Sequence, residues 1–258
     1  MHSTTHTGVD AAVNIRAWDS IASRDQTHGQ PQDPPPDIAW TPWPGRGPGA
    51  ELLGDLVGKS VAEMGCGTGE HVGYTALHGA RLAIGIDASL RRLTQARARF
   101  GHLPATDWHL GDAAAVLTTL PILDVCYSIF GALWYADPAQ LLPAVAGRLR
   151  AGGRLVFSVN APRQGELSGR RVDNLTSTGG ARLPVIHYAF DAADWSALLV
   201  AHGFRPVEVQ PVSGPHTSPH HTLVVSARRA PLSAGPGPLG RPTRESMPPM
   251  VERRSAAG

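Results

Sequence analysis

Val61-Ala62-Glu63-Met64-Gly65-Cys66-Gly67-Thr68-Gly69 runs from an apolar segment straight into three glycines at alternate positions, and a helical pattern opens behind them. Ser60 to Met64 reads as a short buried strand. Glycine is wanted after it because the backbone must turn sharply and lie against a ligand with no Cβ in the way. The exposed N–H groups of the following helix then favour a carboxylate or phosphate. A second strand, Arg81 to Ile86, closes on Asp87. A carboxylate at that position can accept hydrogen bonds from both hydroxyls of a ribose. The glycine loop alone is a weak signal; the loop followed by a strand-end acid predicts an adenosine-containing ligand.

The same alternation continues outward. Leu52 to Val57 reads as the end of a helix, Asp107 to Leu110 as a third strand and Ile122 to Ile129 as a strongly apolar fourth. Ser89 is placed to cap the helix carrying Leu90, Leu93 and Ala96. Pro138 to Leu149 reads as a helix, and Gly152-Gly153 as a turn into a fifth strand, Arg154 to Val159. Asp191 to His202 is a helix stopped by Gly203. Strands separated by helices predict a parallel sheet covered on both faces. The last two strands, Arg205 to Val212 and Thr222 to Ala227, have no helix between them and should form an antiparallel hairpin at the sheet edge.

Composition sets three regions. Residues 1–50 read as a proline-rich, partly disordered N-terminal cap or lid with a short helix near Ala11 to Ala22, where Val13, Ala17 and Ile21 share a face. Residues 51–228 form the α/β domain. Residues 229–258, rich in Pro, Gly and Arg, read as a disordered tail. The 258 residues are 42% hydrophobic and 17% charged with a net charge of +2, so neither nucleic acid nor membrane is expected as a partner. Two cysteines, Cys66 and Cys126, are too few for a disulfide scaffold or a zinc cluster. With no apolar run behind a basic start, a cytoplasmic protein is expected.

Glu63-x-Gly65-x-Gly67-x-Gly69 resembles the first motif of class I S-adenosylmethionine-dependent methyltransferases. Dinucleotide enzymes usually carry G-x-G-x-x-G instead. The resemblance continues through Gly85-Ile86-Asp87-Ala88-Ser89, Gly111-Asp112-Ala113, Leu123-Asp124-Val125 and Leu149-Arg150-Ala151-Gly152-Gly153-Arg154-Leu155. It implies a doubly wound, Rossmann-like, seven-stranded and mostly parallel sheet with an antiparallel last strand. The implied cofactor is S-adenosylmethionine, and the implied acceptor a small molecule methylated at O, N or C, a secondary metabolite being one candidate class. Gly65, Cys66, Gly67 and Gly69 would approach the methionine moiety, with Glu63 supporting the loop or binding the amino group through water. Asp87, with Ala88, would hold the ribose. Asp112 and the backbone of Ala113 would read the adenine amino group, and Ser128 would face the sulfonium methyl. In the alternative, Glu63 and Asp112 are solvated loop acids.

Methyl transfer needs alignment and exclusion of water more than dedicated acid–base groups. A base is required only where the acceptor must lose a proton. His187 is the first candidate, with Tyr188, Phe130 and Trp134 as pocket walls; a structural histidine is the alternative, and His71 and His78 are further candidates. Related small-molecule enzymes often carry W-D-x-x-A-x-x-Y near the N-terminus. Trp18, Asp19 and Ala22 match, whereas Asp25 stands at the tyrosine position, so Trp40, Trp43 or the stretch near His28 becomes the candidate lid. His216, His220 and His221 read as loop histidines rather than metal ligands, because Pro215 and Pro219 oppose a helix. Two other readings stay open: a nucleotide-linked oxidoreductase, and a catalytically silent cofactor-binding protein. Oligomeric state is not readable.

Overall fold

A computed structural model describes residues 4–22, 31–163, 165–177, 179–215 and 221–231. The central sheet has seven strands: β1 Ser60–Met64, β2 Leu82–Asp87, β3 Thr106–Leu110, β4 Leu123–Ile129, β5 Leu149–Asn160, β8 Phe204–Ser213 and β9 His221–Arg229. Their order is β3-β2-β1-β4-β5-β9-β8. The first five are mutually parallel, and β9 enters antiparallel to both β5 and β8. The terminal pair is therefore a hairpin, but its second strand lies inside and leaves β8 at the edge. All five residues of β1 are buried, the pattern of a strand covered by helices on both faces.

Two apolar clusters fill the two sides of the sheet. One gathers Ile84, Leu117, Leu141, Phe157 and Trp195; the other gathers Trp40, Leu53, Val72, Leu93, Phe100 and Tyr127. The covering helices include α2 Glu70–Leu77, α3 Leu90–Phe100, α4 Ala113–Leu117, α5 Ala132–Tyr135, α6 Pro138–Arg148 and α7 Ala192–Ala201. Ser89 caps α3 by accepting from the Arg92 N–H, and Asp112, Asp137 and Asp191 cap α4, α6 and α7 in the same way. Such caps satisfy N–H groups that the first helical turn leaves open.

Four expectations are corrected. A short 3-10 turn, Ala50–Leu53, stands where a helix end was expected. Strand β5 begins before the Gly152-Gly153 turn: Leu149 already pairs with Leu123, and residues 150–153 stand out of register before Arg154 meets Val125. Trp40 is not a lid. It is fully buried, packs edge-on against Tyr127 and donates its Nε1–H to the Gly49 carbonyl. The fourth correction is a second sheet, β6 Gly169–Thr176 paired antiparallel with β7 Arg182–Ala189, between the fifth strand and the Asp191 helix, where no strand was expected. Its first strand is mostly exposed and polar, so it lacks the alternation that marks a half-buried strand.

The N-terminal helix α1, Thr4–Ala22, is longer than the periodicity predicts and turned differently. Its buried positions are Asp10, Asn14 and Ala17, a stripe that is mostly polar and so invisible to a search for apolar spacing. Asp25, His28, His216, His220 and the tail beyond 231 lie outside the described residues. No helix among the described residues is long and apolar enough to cross a membrane.

Candidate functional site

A cavity of about 290 Å³ opens at the carboxyl ends of β1, β2 and β4, where open parallel sheets place their ligands. Gly65 and Cys66 both donate backbone N–H bonds to the Ile86 carbonyl, folding the glycine loop over β2. Gly65 has φ +78°, and a Cβ there would stand 2.6 Å from the Ala132 nitrogen. At Gly69, φ is +86° and a Cβ would strike the Trp108 ring at 2.7 Å. These two glycines are required by the protein's own packing. Gly67 differs: it lines the cavity, and a Cβ there would meet only an Arg92 guanidinium nitrogen, at 3.5 Å.

Asp87 is fixed from both sides. One oxygen accepts from the Gly67 N–H and the other from the Ser89 N–H, each at 2.8 Å. Burial pushes its carboxyl above the ordinary range, while those two N–H groups and the Arg92 charge act against the rise. Glu63 lies deeper, 2% exposed, with the Tyr127 hydroxyl donating to it at 3.3 Å and His71 Nδ1 at 3.4 Å. Burial raises the Glu63 carboxyl. Burial alone would lower His71, but Glu63 and then Glu70 outweigh it and hold the imidazole above its ordinary value. The Cys66 thiol, raised well above normal by burial and by Asp87 and Glu63, stays protonated.

Glu63, Gly65, Cys66, Gly67, Asp87, Ala88, Asp112, Ala113, Phe130 and Tyr188 all line this one cavity. Gly69, Ser128, Trp134 and His187 are not among the lining residues. Ser128 is fully buried; its hydroxyl donates to the Met64 carbonyl and accepts from the Leu133 N–H. His187 and Trp134 pack against each other with ring centroids 5.1 Å apart, and Asp173 stands 3.8 Å from the His187 ring. Because strand side chains alternate, the inward turn of Tyr188 carries His187 to the other face of β7. Burial lowers the His187 pKa. Phe130 at the end of β4 has φ +45°, a strained conformation for a bulky residue of the kind that gathers at functional sites.

The sequence reading missed the contribution of α1, whose Asp10, Asn14, Ile15 and Trp18 line the cavity, and those of Arg92, Tyr135 and Asp137. Asn14 works as a piece of strand: its amide exchanges two hydrogen bonds with the Ile186 backbone of β7, at 2.7 and 2.8 Å, and donates a third to the Tyr135 carbonyl. Asp10 forms a bidentate pair with Arg170 of β6, both contacts 2.7 Å. At the other end of the helix Ser89 donates to Asp19, the Arg92 guanidinium lies 4.8 Å over the Trp18 ring, and Trp18 meets Tyr135 edge-on. The Trp18-Asp19 pair was the visible signal. Neither Trp40 nor Trp43 lines the cavity.

Residues 62–157 match the family model described as a methyltransferase domain. These residues form a methyltransferase domain. The chain's relatives include a trans-aconitate 2-methyltransferase from Methylobacterium radiotolerans, 37% identical over 122 residues that cover 45% of this chain and 44% of the relative. A tRNA U34 carboxymethyltransferase from Marinobacter nauticus is 34% identical over 112 residues, 42% of this chain and 33% of the relative. The chain thus spans less than half the length of these curated relatives. A crystal structure from Listeria monocytogenes assigned as an S-adenosylmethionine dependent methyltransferase superposes with a TM-score of 0.57 at 22% identity, covering 70% of this chain and 95% of that one. The methyltransferase domain shares its fold.

Proposed function

We propose that the protein transfers a methyl group from S-adenosylmethionine to an O, N or C nucleophile of a small-molecule acceptor by direct displacement. The observation that carries this reading is the gathering of Glu63, the open face of Gly67, Asp87 and the Asp112-Ala113 turn along one cavity. That donor set fits the cofactor in order: Glu63 would hold the ammonium, Asp87 the ribose hydroxyls, and Asp112 with the Ala113 backbone the adenine amino group. Bound there, S-adenosylmethionine supplies a methyl carbon activated by a sulfonium. The chain's own task is to align the acceptor and keep water out.

A cavity bordered by α1 and walled by Phe130, Tyr135 and Tyr188 supports an acceptor of modest size. Burial raises Tyr135, and burial with the nearby charges of Asp137 and Asp10 pushes Tyr188 up to about 12. Both hydroxyls are therefore protonated near neutrality, so neither removes a proton from an acceptor. His187 stands outside the cavity, so general-base catalysis is not assigned to it.

The test is thermal stability of the full chain with S-adenosylmethionine, S-adenosylhomocysteine, NAD and NADP. A shift with the two adenosyl sulfur ligands alone, lost in Asp87→Ala, is expected. A shift with the nicotinamides alone would overturn the reading in favour of an oxidoreductase. Acceptor-dependent release of S-adenosylhomocysteine then separates an enzyme from a silent binder.

A further inference from the structure

Six acids line the cavity against two basic side chains, Arg92 and His71. Both bases are committed: the Arg92 guanidinium lies over Trp18 and its charge acts on Asp87, and His71 stands 3.4 Å from Glu63. Of the acids, Glu63, Asp87 and Asp112 fall to the cofactor in the function proposed above, and Glu70 pairs with Arg99 of α3 at 2.9 Å. Asp10 and Asp137 remain. They meet at Tyr188, whose hydroxyl is bonded to Asp10 and lies in the field of both carboxylates. Asp10 is neutralised by its bidentate pair with Arg170. Asp137 has no such partner. One of its oxygens accepts from the Ala139 N–H at the start of α6, at 2.9 Å, and this is its one side-chain hydrogen bond among the described residues. The other oxygen is left for a ligand.

The walls around that carboxylate are aromatic: Tyr135 lies two residues before it, and Phe130 and Tyr188 line the same cavity. Aromatic faces attract a cation, and a cleft lined by one sign of charge concentrates the opposite sign. A ligand carboxylate would shed its water here with no uncommitted base to receive it among the described lining residues. Resting on the function proposed above, we propose that the acceptor is an organic amine bound as its ammonium, anchored by Asp137, with Phe130, Tyr135 and Tyr188 around its apolar body. Asp137 is thus a specificity residue that sorts acceptors by charge, and the cavity turns away carboxylates of the same shape.

The experiment is an NMR titration of the full chain, saturated with S-adenosylhomocysteine, with probes that share one body and differ in charge: phenethylamine, phenethyl alcohol and 3-phenylpropionate. A hydrogen bond to a charged group corresponds to a preference on the order of tenfold or more. The wild type should bind the amine more tightly than the carboxylate by that factor, with the alcohol between them. Asp137→Asn keeps the α6 cap, since asparagine caps a helix about as well as aspartate, but removes the charge. It should keep the wild-type melting temperature and affinity for S-adenosylhomocysteine, while the amine falls to the level of the alcohol. Asp191→Asn, the same change at the α7 cap and outside the cavity lining, should leave the order of the probes untouched. A wild type that binds the amine no better than the carboxylate, or not at all, overturns the proposal. So does an Asp137→Asn chain that keeps the amine preference, or one that weakens all the probes equally. A wild type that fails to bind S-adenosylhomocysteine would count against the proposed function itself, and this proposal would fall with it.

Discussion

Ser128 spends both functions of its hydroxyl on the protein, donating to the end of β1 and accepting from the first turn of α5. Replacing it by alanine leaves a buried carbonyl and a buried N–H without partners, at a cost of about 1–3 kcal/mol each. Ser128→Ala should therefore lower the melting temperature by several degrees, with cofactor affinity changed far less than in Asp87→Ala. A loss of binding without a loss of stability would restore Ser128 to the ligand-facing role read from the sequence. His187 gives a pH prediction of definite sign. Its folded pKa lies below the ordinary 6.5 because burial disfavours the imidazolium. Between 6.5 and that lower value the unfolded chain takes up a proton that the folded chain refuses, so stability falls as pH falls across the window. His71, raised rather than lowered, works in the opposite sense. The stability difference between wild type and His187→Gln should shift against the wild type as pH falls from 6.5 through that window and stay constant above it; curves parallel across the window would show that His187 carries no such linkage.

At the scale of the element, α1 is the part that joins the two ends of the cavity. It is pinned to β7 by Asn14, to β6 by the Asp10–Arg170 pair, and to α3 by Ser89 and Arg92. Asn14→Ala would strand the N–H and carbonyl of Ile186, which no neighbouring strand supplies with partners on that side. The expected result is looser docking of α1, read as faster proteolysis within residues 4–22 and a weaker affinity for S-adenosylhomocysteine. Asn14→Asp keeps the acceptor but loses the donor, and should fall between the two. An Asn14→Ala chain as protease-resistant as wild type would mean that the Asp10–Arg170 pair and the Trp18 contacts hold the helix without it.

For the whole molecule, hydrogen exchange should be slowest in β1, β4 and the second half of β5, which are largely buried on both faces, and faster in α1 and the β6–β7 pair, which rest on one side only. Ligand at about 100 times its dissociation constant adds about 2.7 kcal/mol of stability, and it should protect α1 and β6–β7 together, because α1 ties them; protection of one alone would contradict that coupling. The central sheet, the glycine loop and Asp87 could be read from the chain itself, since burial between helices, a left-handed turn and a strand-end acid each demand particular residue types at particular spacings. The walls of the cavity could not. Asp10 and Asn14 are buried polar groups whose partners lie more than 120 residues away, and β6 is a polar strand that pairs only with β7. Gly69 and Ser128 have the residue types of ligand contacts, yet the ring of Trp108 and the ends of β1 and α5 occupy them. Local periodicity and turn chemistry determined the scaffold and the kind of ligand to expect. Which side chains line the cavity was decided only by packing between segments distant in sequence, where strand alternation turns Tyr188 into the cavity and His187 out of it.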